Sequence, residues 1–348
     1  MGNEVERPVL AVDLGGTQIR AALVTPDLAV HCRRAVPTRD EEGVDAVLDR
    51  IAEVASATRA DAAGAGLPDP IGLGISSPGP LDPWRGVVLM APNLRGWTNV
   101  PIVERIAGRV AMPTVLERDT NVAVMAEWRH GAARGTRSAI YITVSTGIGG
   151  GMITDGRPLV GPDGTAGEVG HLVVEIDGPR CGCGGVGHVE AIASGTAIAR
   201  EGQAVLAAGR STRLAELVSD GEDLDAELVA RVAAEGDAAC AAILERAWIA
   251  IGAMCASLVN VFDPEVIVIG GSIAEHHPRL FEVARAQLER GAFPILLDRV
   301  RIEPAALGGD VSLIGLVPIL NDRIGDPAFI AGSQGPQLAA TQQGVSPS

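Results

Sequence analysis

Two short apolar runs joined by a glycine turn occur twice in this chain, and nothing else constrains its fold as strongly. Residues 9–13 and 19–24 flank Gly15-Gly16-Thr17, and residues 139–144 and 152–154 flank the stretch from Ser145 to Gly151. Apolar runs of this length, bounded by glycines, read as strands of a hairpin. Each hairpin is followed by alternating strand and helix patterns. In the first half a helix is expected over 43–59, a strand over 71–75, a helix over 100–110 and a brief strand over 114–116. In the second half the helix 119–130 leads the hairpin. Two helical stretches over 226–262, a strand over 266–269 and a further helix opened by Gly270-Gly271 come after it. Two halves with the same beginning predict a duplicated α/β fold, divided as 1–118 and 119–331. Residues 332–348, rich in Gln, Ser, Gly and Pro, are expected to form a mobile tail.

The chain has 348 residues, long enough for two cores. Its 28 Lys+Arg against 43 Asp+Glu leave a net charge of −15, the wrong sign for a phosphate-backbone partner. A small anion held by backbone amides remains compatible. Five cysteines, two of them in a C-x-C pair, fit a reducing cytoplasm better than a disulfide framework. The N-terminus has no apolar signal core. The longest charge-free apolar run, 247–262, falls short of a membrane span and is expected to be a buried helix.

The chemistry concentrates in 167–190, where Glu168, His171, Cys181, Cys183, His188 and Glu190 lie among glycines. Thiolate and imidazole are zinc ligands. The spacing is not that of a zinc ribbon, so a metal site and a glycine-rich loop with two reduced thiols both stay open. Asp13 and the turn Gly15-Gly16-Thr17 offer backbone amides, a hydroxyl and a carboxylate to a phosphate with Mg²⁺, or form an ordinary hairpin tip. The second turn, with Thr146 and Gly147, lacks a P-loop lysine and carries the same two readings. Asp119, where a strand gives way to a helix, is either an N-cap or a general base. Asn93, in a loop without strand or helix pattern, can donate to and accept from vicinal hydroxyls, or simply turn the chain.

In this order the motifs DLGGT (13–17), SSPGP (76–80), PNLRGW (92–97), ERDTN (117–121), TVSTGIGGG (143–151), GEVGH (167–171), CGCGGVGH (181–188), EAIASG (190–195) and GGSIA (270–274) resemble the ROK family of bacterial sugar kinases, within the actin-like ATPase superfamily. The resemblance runs from about Val9 to Asn321. It implies an actin-like (ribonuclease H-like) two-domain fold with a cleft between the halves and ATP-dependent phosphorylation of glucose. N-acetylglucosamine, N-acetylmannosamine, fructose or allose are the alternative substrates. It further implies Asp119 as catalytic base, and Asn93, Glu168, His171, Glu190 and Gly79 at the sugar. Asp13, Gly15, Gly16, Thr17, Thr146, Gly147, Gly270 and Gly271 fall at the nucleotide and its Mg²⁺, and His171, Cys181 and Cys183 on structural Zn²⁺. The family usually carries a third cysteine where this chain has His188, an imidazole that would complete a Cys₂His₂ set. Arg118 replaces a common asparagine, and Gln18 a frequent lysine. A cytoplasmic enzyme forming homodimers or homotetramers is the family expectation, with no nucleic-acid or membrane partner. The rival functions are a transcriptional repressor, disfavoured by charge, and a zinc-stabilised sugar-binding protein without turnover.

Overall fold

The computed structural model describes residues 6–91 and 93–324, which divide into two units, one of 6–117 with 319–324 and the other of 118–318. The first unit contains β1 (Val9–Leu14), β2 (Gln18–Val24), β3 (Val30–Pro37), α1 (Val44–Gly64), β4 (Leu73–Ser77), β5 (Leu81–Asp82), β6 (Val87–Met90), β7 (Thr98–Val100), α2 (Ile102–Val110) and β8 (Thr114–Arg118). Its main sheet has the order β3-β2-β1-β4-β8. The hairpin β1–β2 is antiparallel, with Asp13 opposite Arg20, and β4 lies parallel to β1 with Ser76 beside Asp13. The two central strands are apolar because they are covered on both faces. Val47, Leu48, Ile51 and Ala55 of α1 recur at helical spacing and bury one stripe in this core. A small sheet, β5-β6-β7, completes the unit.

The second unit repeats the plan. It holds α3 (Asp119–His130), β9 (Ala139–Val144), β10 (Ile148–Thr154), β11 (Arg157–Pro158), α4 (Glu190–Ala193), α5 (Gly195–Ala207), α6 (Thr212–Ser219), α7 (Ala226–Ala234), α8 (Ala238–Phe262), β12 (Val266–Gly270), α9 (Pro278–Gly291), α10 (Pro294–Leu297), β13 (Arg301–Pro304), α11 (Val311–Ile314) and the start of α12 (Leu316–Ile324). Its sheet runs β11-β10-β9-β12-β13, again an antiparallel hairpin joined to a parallel strand. The first sheet is matched strand for strand, as the paired hairpins in the sequence require. The helices that follow begin where short polar side chains cap them. Ser194, Ser211, Asp225 and Asp237 each accept amide hydrogens from the first turn of α5, α6, α7 and α8.

Several boundaries differ from the sequence expectation. The two helical stretches expected over 226–262 do form, as α7 and α8, the latter spanning 25 residues from its Asp237 cap. By length and composition alone it could cross a bilayer, yet Trp248, Ile251, Met254, Cys255 and Val259 are buried in the core of this unit. Val100 ends β7 rather than opening a helix. Gly270-Gly271 do not open a helix either, since Gly271 turns with φ +95° and α9 begins at Pro278. The second glycine stretch is a turn only as far as Gly147, and Gly149–151 already belong to β10. The segment 119–331 does not remain in one unit. Residues 319–324 of α12 join the first unit, where Leu320 and Ile324 pack at Gly72 and Arg323 pairs with the buried Glu117. The tail 332–348 and Pro92 lie outside the described residues.

Candidate active site

In the first unit the glycine turn lies between β1 and β2, at the carboxyl end of β1. Ligands of open α/β sheets collect outside such strand ends. The turn is pinned from behind by Thr38, fully buried, whose amide donates to the Thr17 carbonyl at 2.8 Å and whose hydroxyl donates to the Gly15 carbonyl at 2.7 Å. Asp13 accepts from Arg20 through Oδ2, at 2.6 Å and 3.1 Å. Its carboxylate is thereby oriented. Asn93 is exposed at the tip of a loop closed on itself, the amide of Ala91 donating to the Trp97 carbonyl at 3.0 Å above the buried Trp97 ring. This tip reaches the glycine turn, where a Cβ on Gly16 would stand 3.1 Å from the Asn93 carbonyl oxygen. The turn Gly15-Gly16-Thr17 and Asn93 thus form one group. Gly79 lies three residues beyond Ser76, the β4 neighbour of Asp13.

In the second unit the predicted residues form an unbroken chain of contacts. The Glu190 Oε2 accepts from the Ile148 amide at 2.9 Å, immediately after Thr146-Gly147. Its Oε1 lies 3.8 Å from Cys181 Sγ, which is in turn 3.8 Å from His171 Nδ1. The other ring nitrogen of His171, Nε2, faces Glu168 Oε2 at 3.9 Å. Cys183 Sγ lies 3.3 Å from His188 Nδ1, and the four ligand atoms of His171, Cys181, Cys183 and His188 all fall within 4.8 Å of one another. A tetrahedral zinc places such atoms roughly 3.3–3.8 Å apart, so two of the contacts already match and small side-chain shifts would complete the set. Burial, reinforced by Cys183 and Glu190, holds the Cys181 thiol above its ordinary range. A bound cation would reverse that.

The residues of this unit expected at the nucleotide also meet. Gly270, at the end of β12, is in register with Thr143 near the end of β9. Ser272 and Ser145 bring their hydroxyls to 3.0 Å, and Thr196 donates its hydroxyl to the Thr146 carbonyl at 2.9 Å. Asp119 is half-buried as the first residue of α3. Its Oδ1 accepts from the next amide, Thr120, at 2.7 Å, whereas the cap position belongs to Arg118. A capping aspartate would instead take an amide two or three residues on. Asp119 reaches the rest of the group through the packing of α3 on β10.

Three contributors were not read from the sequence. Thr38 carries no motif of its own, and Ser272 lies within GGSIA without a role read for it; both support turns they do not neighbour in sequence. Arg118 was noted only as a departure, although its guanidinium joins Glu168 to the floor of the site; an arginine in a wholly buried strand end is the signal that would have marked it.

The chain is similar to known proteins over nearly its whole length. Over 317 residues the chain is 34% identical to a glucokinase of Thermotoga maritima, covering 91% of this chain and 98% of that protein. It is 33% identical over 290 residues to an N-acetylmannosamine kinase of Shigella flexneri, covering 82% and 91% of the two. The fold superposes on a ROK hexokinase from Thermus thermophilus with a TM-score of 0.74 and 34% identity, over 89% of this chain and 96% of that one. Residues 9–323 match the ROK family. With its duplicated sheets and its glycine turns at the strand ends, the chain belongs to the ROK family, in the actin-like ATPase superfamily.

Proposed function

We propose that the protein is a sugar kinase that transfers the γ-phosphoryl group of ATP to the 6-hydroxyl of glucose. The observation that carries this reading is the contact chain Glu168–His171–Cys181–Glu190–Ile148, which ties hydroxyl-binding side chains to the turn suited to phosphate. Glu168, His171, Glu190 and Asn93 would hold the sugar hydroxyls, with Gly79 beside them. Asp119 takes the 6-hydroxyl proton as that oxygen attacks the γ-phosphorus in line, and ADP leaves. The amides of Gly16, Thr17, Thr146 and Gly147 neutralise the phosphate oxygens, Gly15 closing the first turn by donating its amide to the Gln18 carbonyl, while Gly270 and Gly271 flank the nucleoside. Mg²⁺ would be held through Asp13, whose carboxylate Arg20 orients, and would offset phosphate charge. Zinc on His171, Cys181, Cys183 and His188 would be structural. Its bond to Nδ1 would fix the His171 tautomer and leave Nε2 for a sugar hydroxyl.

The likeness to an N-acetylmannosamine kinase supports a second reading, the same chemistry on an N-acetylhexosamine. Coupled ADP release with Mg-ATP and a panel of hexoses separates the two. The Asp119→Asn variant is expected to lose at least about 10² in kcat while binding sugar normally. Turnover close to wild type in that variant removes Asp119 as the base.

A further inference from the structure

Arg118 is a cation set among the groups of the second unit that the proposed function uses. Its side chain is only 5% exposed, an unusual state for an arginine unless its donors are engaged. Nη1 donates to Glu168 Oε1 at 2.7 Å. Nη2 donates to the Gly150 carbonyl at 2.8 Å and to Asn121 Oδ1 at 3.4 Å. One planar fork therefore ties together the loop bearing Glu168, the strand after the second glycine turn, and the first turn of the helix that begins at Asp119. Gly167 is shaped to this guanidinium. Its φ is +87°, and a Cβ there would stand 2.7 Å from Nη2, so a larger residue would push the fork aside.

Glu168 depends on this contact for its orientation. Its side chain is 44% exposed, and a glutamate so open to water samples many rotamers unless held. One carboxylate oxygen rests on Arg118 and the other faces His171 Nε2 at 3.9 Å. We infer that Arg118 is a positioning residue for sugar recognition: it fixes the Glu168 carboxylate in the one orientation that accepts sugar hydroxyls beside His171. A guanidinium serves three acceptors in three directions, which the single ammonium of lysine does not reproduce. The inference rests on the sugar-kinase reading but acts at the binding step.

The test compares Arg118→Met, Arg118→Lys, Glu168→Gln and the double variant Arg118→Met/Glu168→Gln. Calorimetric binding of glucose and of N-acetylmannosamine without nucleotide is measured beside KM for sugar and for ATP. Arg118→Met is expected to weaken binding of the preferred sugar and raise its KM roughly 10- to 100-fold, the effect of losing a charge-assisted partner. The KM for ATP stays within about twofold, and Arg118→Lys recovers part of the loss. In the Glu168→Gln background, Arg118→Met adds less than about threefold, because the contact it served is already gone. Unchanged sugar binding in Arg118→Met, or full additivity in the double variant, overturns the inference, as does a loss shared equally by sugar and ATP. A variant that unfolds is replaced in the comparison by Arg118→Lys, which keeps the charge. Failure of the kinase reading shows separately, as wild-type protein that binds sugar without releasing ADP. Wild-type protein that binds neither sugar overturns both.

Discussion

Replacing Gly151 with alanine tests whether the packing of α3 on β10 sets the position of Asp119. A Cβ at residue 151 would lie 2.8 Å from the Thr120 carbonyl carbon, closer still to its oxygen, and 3.0 Å from Val124 Cγ1. The obstructing atoms are backbone, in the residue that follows Asp119, so no rotamer change relieves the clash. Helix α3 must withdraw by about 1 Å at its first turn, a displacement that costs on the order of 10² in rate when it falls on a catalytic group. Overpacking adds roughly 1–3 kcal/mol of destabilisation. Gly182, whose Cβ would meet nothing within 4 Å, gives the control. Steady-state turnover and urea unfolding of Gly151→Ala and Gly182→Ala provide the readouts. The expected result is a fall of about 10² in kcat with lowered stability for the first variant and wild-type behaviour for the second. Wild-type kcat in Gly151→Ala would show that contact between α3 and β10 does not govern Asp119.

Metal analysis of purified protein is expected to find about one zinc per chain, lost in His188→Ala together with several degrees of thermal stability. Full stability after chelation would refute the structural role. Burial beside Trp248, aided by His276, holds the His277 imidazole below its usual value. The unfolded chain therefore takes up this proton first. The stability linked to it is present above about pH 6.5 and is lost as pH falls through the folded pKa. Melting temperatures measured downward from pH 8 are expected to decline less steeply below pH 6.5 in His277→Asn than in wild type, and parallel curves would refute the assignment.

Much of this protein was determined locally and was therefore legible in its sequence. Strand runs around the two glycine turns, the helix starting at Asp119, and the zinc-type ligands Cys181 and Cys183 follow from residue type and short spacing. The duplication was legible because each half repeats the same local pattern. Tertiary structure alone decided what each glycine is for. Gly149–151 read as part of a phosphate turn, yet they lie in β10, where the absence of side chains lets Thr120 and Val169 approach. Only folding could pair Arg118 with Glu168, 50 residues apart, or return residues 319–324 to the first unit. The buried Glu127 illustrates the same limit: it accepts amides from both Ala132 and Ala306. Sequence spacing carries no signal for such pairs, because the distance between their partners is set by chain topology and the demand to satisfy buried charge.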